Sequence, residues 1–128
     1  MIAEIVNQLK TGTIKTVMPY LASTTMPSPP YIVVKPELYV TGKKGIRVIV
    51  HYLVGTHMYI DSSTGDYKTP LEDYVYNELP SLLRDWSFEN NHGETMTVYD
   101  TQDTTEVGPV SDDNTVSMER LFYIPQPL

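Results

Sequence analysis

The chain has 128 residues, 41% of them hydrophobic, with nine Lys and Arg against sixteen Asp and Glu and a formal charge of −7. That is the size of one domain able to bury a core without disulfides or metal, and the absence of cysteine excludes a thiolate nucleophile and every Cys-based metal site. The acidic balance also argues against a polybasic, groove-reading nucleic-acid binder.

The charge is unevenly placed. Residues 1–50 carry six basic and two acidic side chains, whereas residues 51–128 carry three basic and fourteen acidic ones, a net of +4 followed by −11. Such asymmetry points to different surfaces for different partners, copies of the chain included.

In chain order, Ile2, Ile5, Val6 and Leu9 lie at i, i+3, i+4, i+7, one stripe of a helix. Ile14, Val17, Met18 and Leu21 continue the spacing, so a helical segment over 2–22 is expected, kinked or in two pieces at Gly12 and Pro19. The N-terminus carries Glu4 and no long apolar run. It reads as neither signal peptide nor membrane span, and a soluble intracellular protein is expected.

Residues 22–30 form a Pro/Ser/Thr loop. Tyr31–Lys35 then reads as a strand halted or sent to an edge by Pro36, with Leu38–Val40 extending or following it. Thr41–Gly45 is a turn, and Ile46–Val54, β-branched and nearly continuous, is the strongest strand. The pair predicts a hairpin with Lys43 and Lys44 at its tip. Thr56–Asp61 is expected as a third strand and Ser62–Asp66 as a loop.

Thr69-Pro70 starts a second helix, with Glu72 and Asp73 in its first turn where the dipole favours acids. Its apolar face runs from Leu71 to Trp86, kinked at Pro80, and residues 90–93 end it. Trp86, beside Arg84 and Asp85, is read as core because it continues that stripe.

From Glu94 the period is two. Thr95–Tyr99, Thr104–Val107 and Thr115–Ile124 are expected as three antiparallel strands, with turns at 101–103 and 111–114. On the last strand Met118, Arg120, Phe122 and Ile124 share one face and Ser117, Glu119, Leu121 and Tyr123 the other. Both faces are partly apolar, so both are expected to be covered. The order α-β-β-β-α-β-β-β predicts one α+β domain over 1–128, two helices packed on antiparallel sheet.

Motifs that carry chemistry are missing. There is no Walker loop and no G-x-G-x-x-G, and Gly42-Lys43-Lys44-Gly45 has neither spacing. His51, His57 and His92 with Asp61 are the only candidates for a His/carboxylate site, without H-x-H or H-E-x-x-H spacing. No serine sits in G-x-S-x-G, and nothing pairs two carboxylates as in a glycosidase. No catalytic residue, metal or cofactor is expected, and an enzyme ranks last. Asp100, Asp103, Glu106, Asp112 and Asp113 gather near strand ends as an acidic surface, and ten Tyr against two Phe suit half-wet faces and interfaces.

The N-terminal helix, the hairpin with a projecting tip, the third strand, a central helix ending in ELPSLLRDW (Glu78–Trp86) and a C-terminal meander ending in MERLFYI (Met118–Ile124) together resemble the tail terminator, or tail-completion, proteins of long-tailed bacteriophages. The likeness spans nearly the whole chain in length and order. It implies a structural subunit of the virion tail or neck, assembled in the host cytoplasm into a homo-oligomeric, hexameric ring at the head-proximal end of the tail tube. One ring face would cap the tube protein, the other would meet the neck or head-completion protein, and DNA would pass through without specific binding. On this reading Lys43, Lys44, Arg47 and Arg84 contact a neighbouring subunit or the tube. Asp100, Asp103, Glu106, Asp112 and Asp113 line a channel or ring face, repelling phosphates so that DNA slides. The alternatives are another neck protein, a head-closure or connector subunit, and a small acidic module that inhibits a basic partner by mimicking nucleic acid.

Overall fold

The computed structural model describes residues 1–21, 25–38, 43–110 and 114–125. Its centre is a five-stranded sheet in the order β1 (Val17–Pro19), β2 (Tyr31–Leu38), β3 (Lys43–Leu53), β9 (Thr115–Pro125), β8 (Tyr99–Val110). The β1–β2 pair is parallel and the others are antiparallel. Two hairpins stand apart from the sheet, β4 (Tyr59–Ile60) with β5 (Tyr67–Lys68), and β6 (Ser87–Glu89) with β7 (Thr95–Thr97). Helix α1 (Ile2–Leu9) and a second, interrupted helix of α2 (Pro70–Asp73), a π turn (Tyr74–Glu78) and α3 (Leu79–Leu83) complete the fold. The chain is thus a mixed α+β structure with a sheet core.

Strand register explains the core. Ile32 faces Val50, which faces Met118; Val34 faces Val48, which faces Arg120; and Ile46 faces Phe122. Because side chains alternate across a strand, these rows share one face, and all are buried. The helices lay Ile5, Val6 and Leu9, then Leu71, Tyr74, Val75, Leu79 and Leu83, onto the same cluster. The hairpin of the second and third strands forms, with Leu38 opposite Lys44, but Lys43, Lys44 and Gly45 belong to β3 and not to the turn expected over 41–45, because their backbone pairs with β9 and, from Lys44 on, with β2. It runs through Pro36, since β1 pairs no further than Val34 and among the described residues β2 beyond that point is an edge, which tolerates a missing N–H.

Several expectations need correction. The helix expected over 2–22 stops at Leu9, where Thr11 N donates to the Gln8 carbonyl and Gly12 N to that of Leu9. Ile14 and Val17 are buried as the spacing implied, but on extended chain, as suits the β-branched run Thr13, Ile14, Thr16, Val17. Of the strand expected at 56–61 only Tyr59–Ile60 is extended, and it does not join the sheet, because β2 and β9 already occupy both sides of β3.

The second helix ends at Leu83, not near residue 90. Arg84 is extended and Asp85 has φ 61°, which turns the chain into β6. The π turn immediately before α3 adjusts the helix to Pro80, which has no N–H to give. Residues 90–93 instead turn the β6–β7 hairpin, so β7 pairs with β6 and the C-terminal meander reduces to β8 and β9. Trp86 is partly buried against the core and stacks on Phe88 at 5.3 Å. The expected turn at 101–103 is a bulge within β8, with Gln102 at φ 63° and the Thr101 hydroxyl donating to the Leu121 carbonyl. The turn at 111–114 and the extension at 38–40 lie largely outside the described residues. On β9, Met118, Arg120, Phe122 and Ile124 are buried on one face and Ser117 and Leu121 on the other, so each face is covered in part.

Candidate functional surfaces

The basic candidates occupy three settings. Lys44 is exposed near the start of β3, and Lys43, also in β3, pairs in register with Pro125; residues 39–42 lie outside the described residues. Arg47 is on the sheet face away from the helices, where its Nε donates to Glu37 Oε1 at 2.7 Å and its Nη1 to Glu119 Oε2 at 2.9 Å. The three residues come from adjacent strands at diagonal positions, within reach for long side chains. Glu37 first, and Glu119 after it, hold the guanidinium in its charged form. Arg47 is therefore a cross-strand clamp with its charge already matched.

Arg84 and Asp100 meet. Asp100 Oδ2 accepts from Arg84 Nη2 at 2.8 Å and from Arg120 Nη2 at 2.7 Å, while Oδ1 accepts from Arg120 Nε and from the Gln102 backbone N–H, each at 2.9 Å. Arg120, 4% exposed, also donates through Nη1 to the Val75 carbonyl at 3.3 Å, tying β9 to the π turn. Burial alone would raise the Asp100 pKa, but hydrogen bonds from Arg120, then Arg84 and Gln102, lower it to about 2. The Asp100 side chain is only 2% exposed. This corrects its place on the open acidic face: the carboxylate faces two guanidinium groups inside the subunit, because an arginine set among apolar residues on β9 must have an anion. Arg84 remains half-exposed.

Asp103 and Glu106 are exposed on β8, a sheet edge that pairs only with β9 among the described residues. Asp112 and Asp113 lie outside the described residues. The structure therefore leaves two of the five expected acids open on β8, opposite Leu121 and Met118 and so on opposite faces of the strand.

The histidines are separated. His57 Nδ1 accepts from the Gly55 N–H at 3.2 Å, His51 stacks on Tyr31 at 4.5 Å, and His92 lies in the β6–β7 turn. Among the described residues no three His, Cys, Asp or Glu side chains come together as metal ligands, and no helix is long and apolar enough to cross a membrane. An open cleft of about 700 Å³ is lined by Thr13, Tyr52, Asp73, Tyr74, Asn77 and Glu78. Its Glu78 carboxylate is taken up by the Thr13 N–H and hydroxyl at 2.7–2.9 Å, which pins the end of α1 to the second helix. Gly12 allows that approach, since a Cβ there would stand 2.6 Å from Glu78 Oε2. Burial, then Glu78, pushes the Tyr74 phenol above its ordinary pKa. The cleft's other carboxylate, Asp73, accepts from the Thr69 hydroxyl at 3.2 Å.

A further surface was missed from sequence. Leu53, Val54, Met58, Tyr59, Ile60 and Tyr67 are all exposed, Ile60 at 68%. They belong to the end of β3 and the β4–β5 hairpin, an arm that leaves the sheet at the Leu53 end. A second apolar group, Tyr20, Leu21 and Met26, is exposed beyond β1. The available signal was Gly55 and the loop Ser62–Asp66 bracketing apolar runs too short for a sheet strand.

Compared with known proteins, the chain matches no family model, no curated protein and no solved structure.

Proposed function

We propose that this chain is a non-enzymatic ring subunit of a phage virion, a tail terminator that caps the tail tube and joins it to the neck while DNA passes through. The observation that carries the reading is the separation of charge on the sheet. One edge strand, β8, displays Asp103 and Glu106 on its two faces, while the exposed Lys10, Lys15 and Lys44 belong to the N-terminal helix region and the β2–β3 hairpin, with Lys68 set apart on the β4–β5 hairpin. Unlike patches on one subunit favour heterologous contacts, the kind that close into rings. A carboxylate-bearing strand turned to the hole repels phosphates and leaves DNA free to slide. Lys44 and the half-exposed Arg84 are then contacts to a neighbour or the tube, whereas Arg47, matched by two glutamates, supports the strand behind them.

A head-closure or connector subunit of the neck would use the same surfaces and differs in its partner. Electron microscopy of the protein mixed with tail tubes separates the two. Rings seated on tube ends support the terminator, and rings that bind only neck particles replace it with the neck reading. An acidic mimic of nucleic acid is weakened by Asp100, whose charge is matched internally.

A further inference from the structure

We infer that the β4–β5 arm of one copy docks on the Tyr20–Leu21 corner of the next, forming the subunit contact of the assembly; this rests on the ring reading above and names its interface.

The arm cannot bury its own side chains. Each of its strands has two residues, too few for an independent hairpin to be stable by itself. Tyr59 and Ile60 are consecutive and so point to opposite faces, yet both are exposed, at 46% and 68%. Across the hairpin Tyr67 is 59% exposed. An apolar projection open on both faces fits a surface that grips it, and exposed aromatic and aliphatic clusters mark such contacts.

The receiving corner is set by register. Tyr20 N donates to the Val34 carbonyl, which places Tyr20 and Leu21 beside the Lys35 end of β2 on the β1 edge. Lys35 aligns with Arg47, six residues along β3 from Leu53, where the arm departs. At about 3.3 Å per residue the two surfaces are separated by roughly 20 Å along the strands. The base of the arm, at His57 and Met58, neighbours Glu106 of β8 and Met118 of β9, toward the opposite edge from β1. Donor and acceptor surfaces thus sit at opposite corners and cannot meet within one copy, but they can meet head to tail.

Charge selects the same pairing. The arm's loop carries Asp61 and Asp66, joined by the Asp61 N–H donating to the Asp66 carbonyl at 2.8 Å. The corner carries Lys35, whose Nζ lies 5.1 Å from the Tyr20 ring centroid, with Lys15 two residues before β1. Lys68 on β5 leaves the arm with one net negative charge, so two arms repel weakly, whereas arm against corner sets Asp61 and Asp66 against lysines.

The chain has no cysteine, so single thiols report one site each. Leu21→Cys and Ile60→Cys proteins, mixed and treated with a short bismaleimide, are expected to give a covalent dimer that neither protein gives alone. The doubly substituted chain should give a ladder ending at the ring size. Ile60→Asp should weaken self-association about tenfold. If the wild-type chain assembles but cross-links only like to like, or not at all, the arm contact is wrong and the ring reading stands. If the chain neither associates nor binds tail tubes, both are wrong.

Discussion

The helix-covered face of the sheet and the β4–β5 arm are built from similar residues to opposite ends. On the sheet, Ile46, Val48, Val50, Phe122 and Ile124 are fully buried, and the one cation among them, Arg120, has a bidentate carboxylate and a carbonyl. On the arm, Tyr59, Ile60 and Tyr67 bury little and the acids of the loop bond mainly within it, Asp61 accepting from the Ser63 N–H and hydroxyl. The first region holds the fold whether or not anything else is present. The second leaves much of its apolar surface open, Ile60 at 68%, and on the proposed reading that surface is covered by the next copy. Stability and assembly should therefore separate cleanly under mutation.

The largest expected effect is on the covered face. Phe122→Ala leaves a cavity under the helices and should lower unfolding free energy by about 3–5 kcal/mol in a denaturant titration. A loss below about 1 kcal/mol would mean the second helix does not rest on that face. Asp100→Ala comes next, at about 3 kcal/mol, because it strands the buried Arg120 charge. The same pair has a pH signature. The folded pKa of Asp100 is about 2 against an ordinary 3.8, so its contribution is complete above about pH 4 and fades as pH falls toward 2. Removing Asp100 should flatten that part of the wild-type stability curve.

On the opposite sheet face, Arg47→Met should cost less than about 1 kcal/mol and lose its effect in high salt, since Arg47, Glu37 and Glu119 all keep partial solvent access. The smallest effect belongs to the arm. Ile60→Asp should leave the thermal midpoint within about 2 °C of wild type, measured by circular dichroism at a concentration where the protein is dispersed. A marked destabilisation would show that the arm packs on its own subunit.

The same contrast explains what could be read from sequence. Periodicity located α1, the β2–β3 hairpin and β9, whose apolar patterns are fixed by a covered face, and it identified Ile14 and Val17 as buried. It misjudged their conformation, because a spacing of three with intervening threonines serves a helix or an extended chain crossing a core. It extended the second helix past Leu83, since Trp86 continues the stripe while Asp85 turns the backbone. The Thr56–Asp61 segment reads as a sheet strand because local β propensity carries no information about whether a sheet edge is free. The pairing of Arg84 and Arg120 with Asp100 joins residues 16 and 20 apart through a bulge, a relation that spacing does not encode; the readable hint was an arginine alternating with Met118 and Phe122.

Assembly into a ring on the tail tube can be seen in class averages from electron microscopy of the purified protein incubated with tail tubes. Closed rings of one copy number seated on one end of each tube are expected, whereas bare tubes beside a protein that remains monomeric at every concentration would mean that the chain is not a tail-ring subunit.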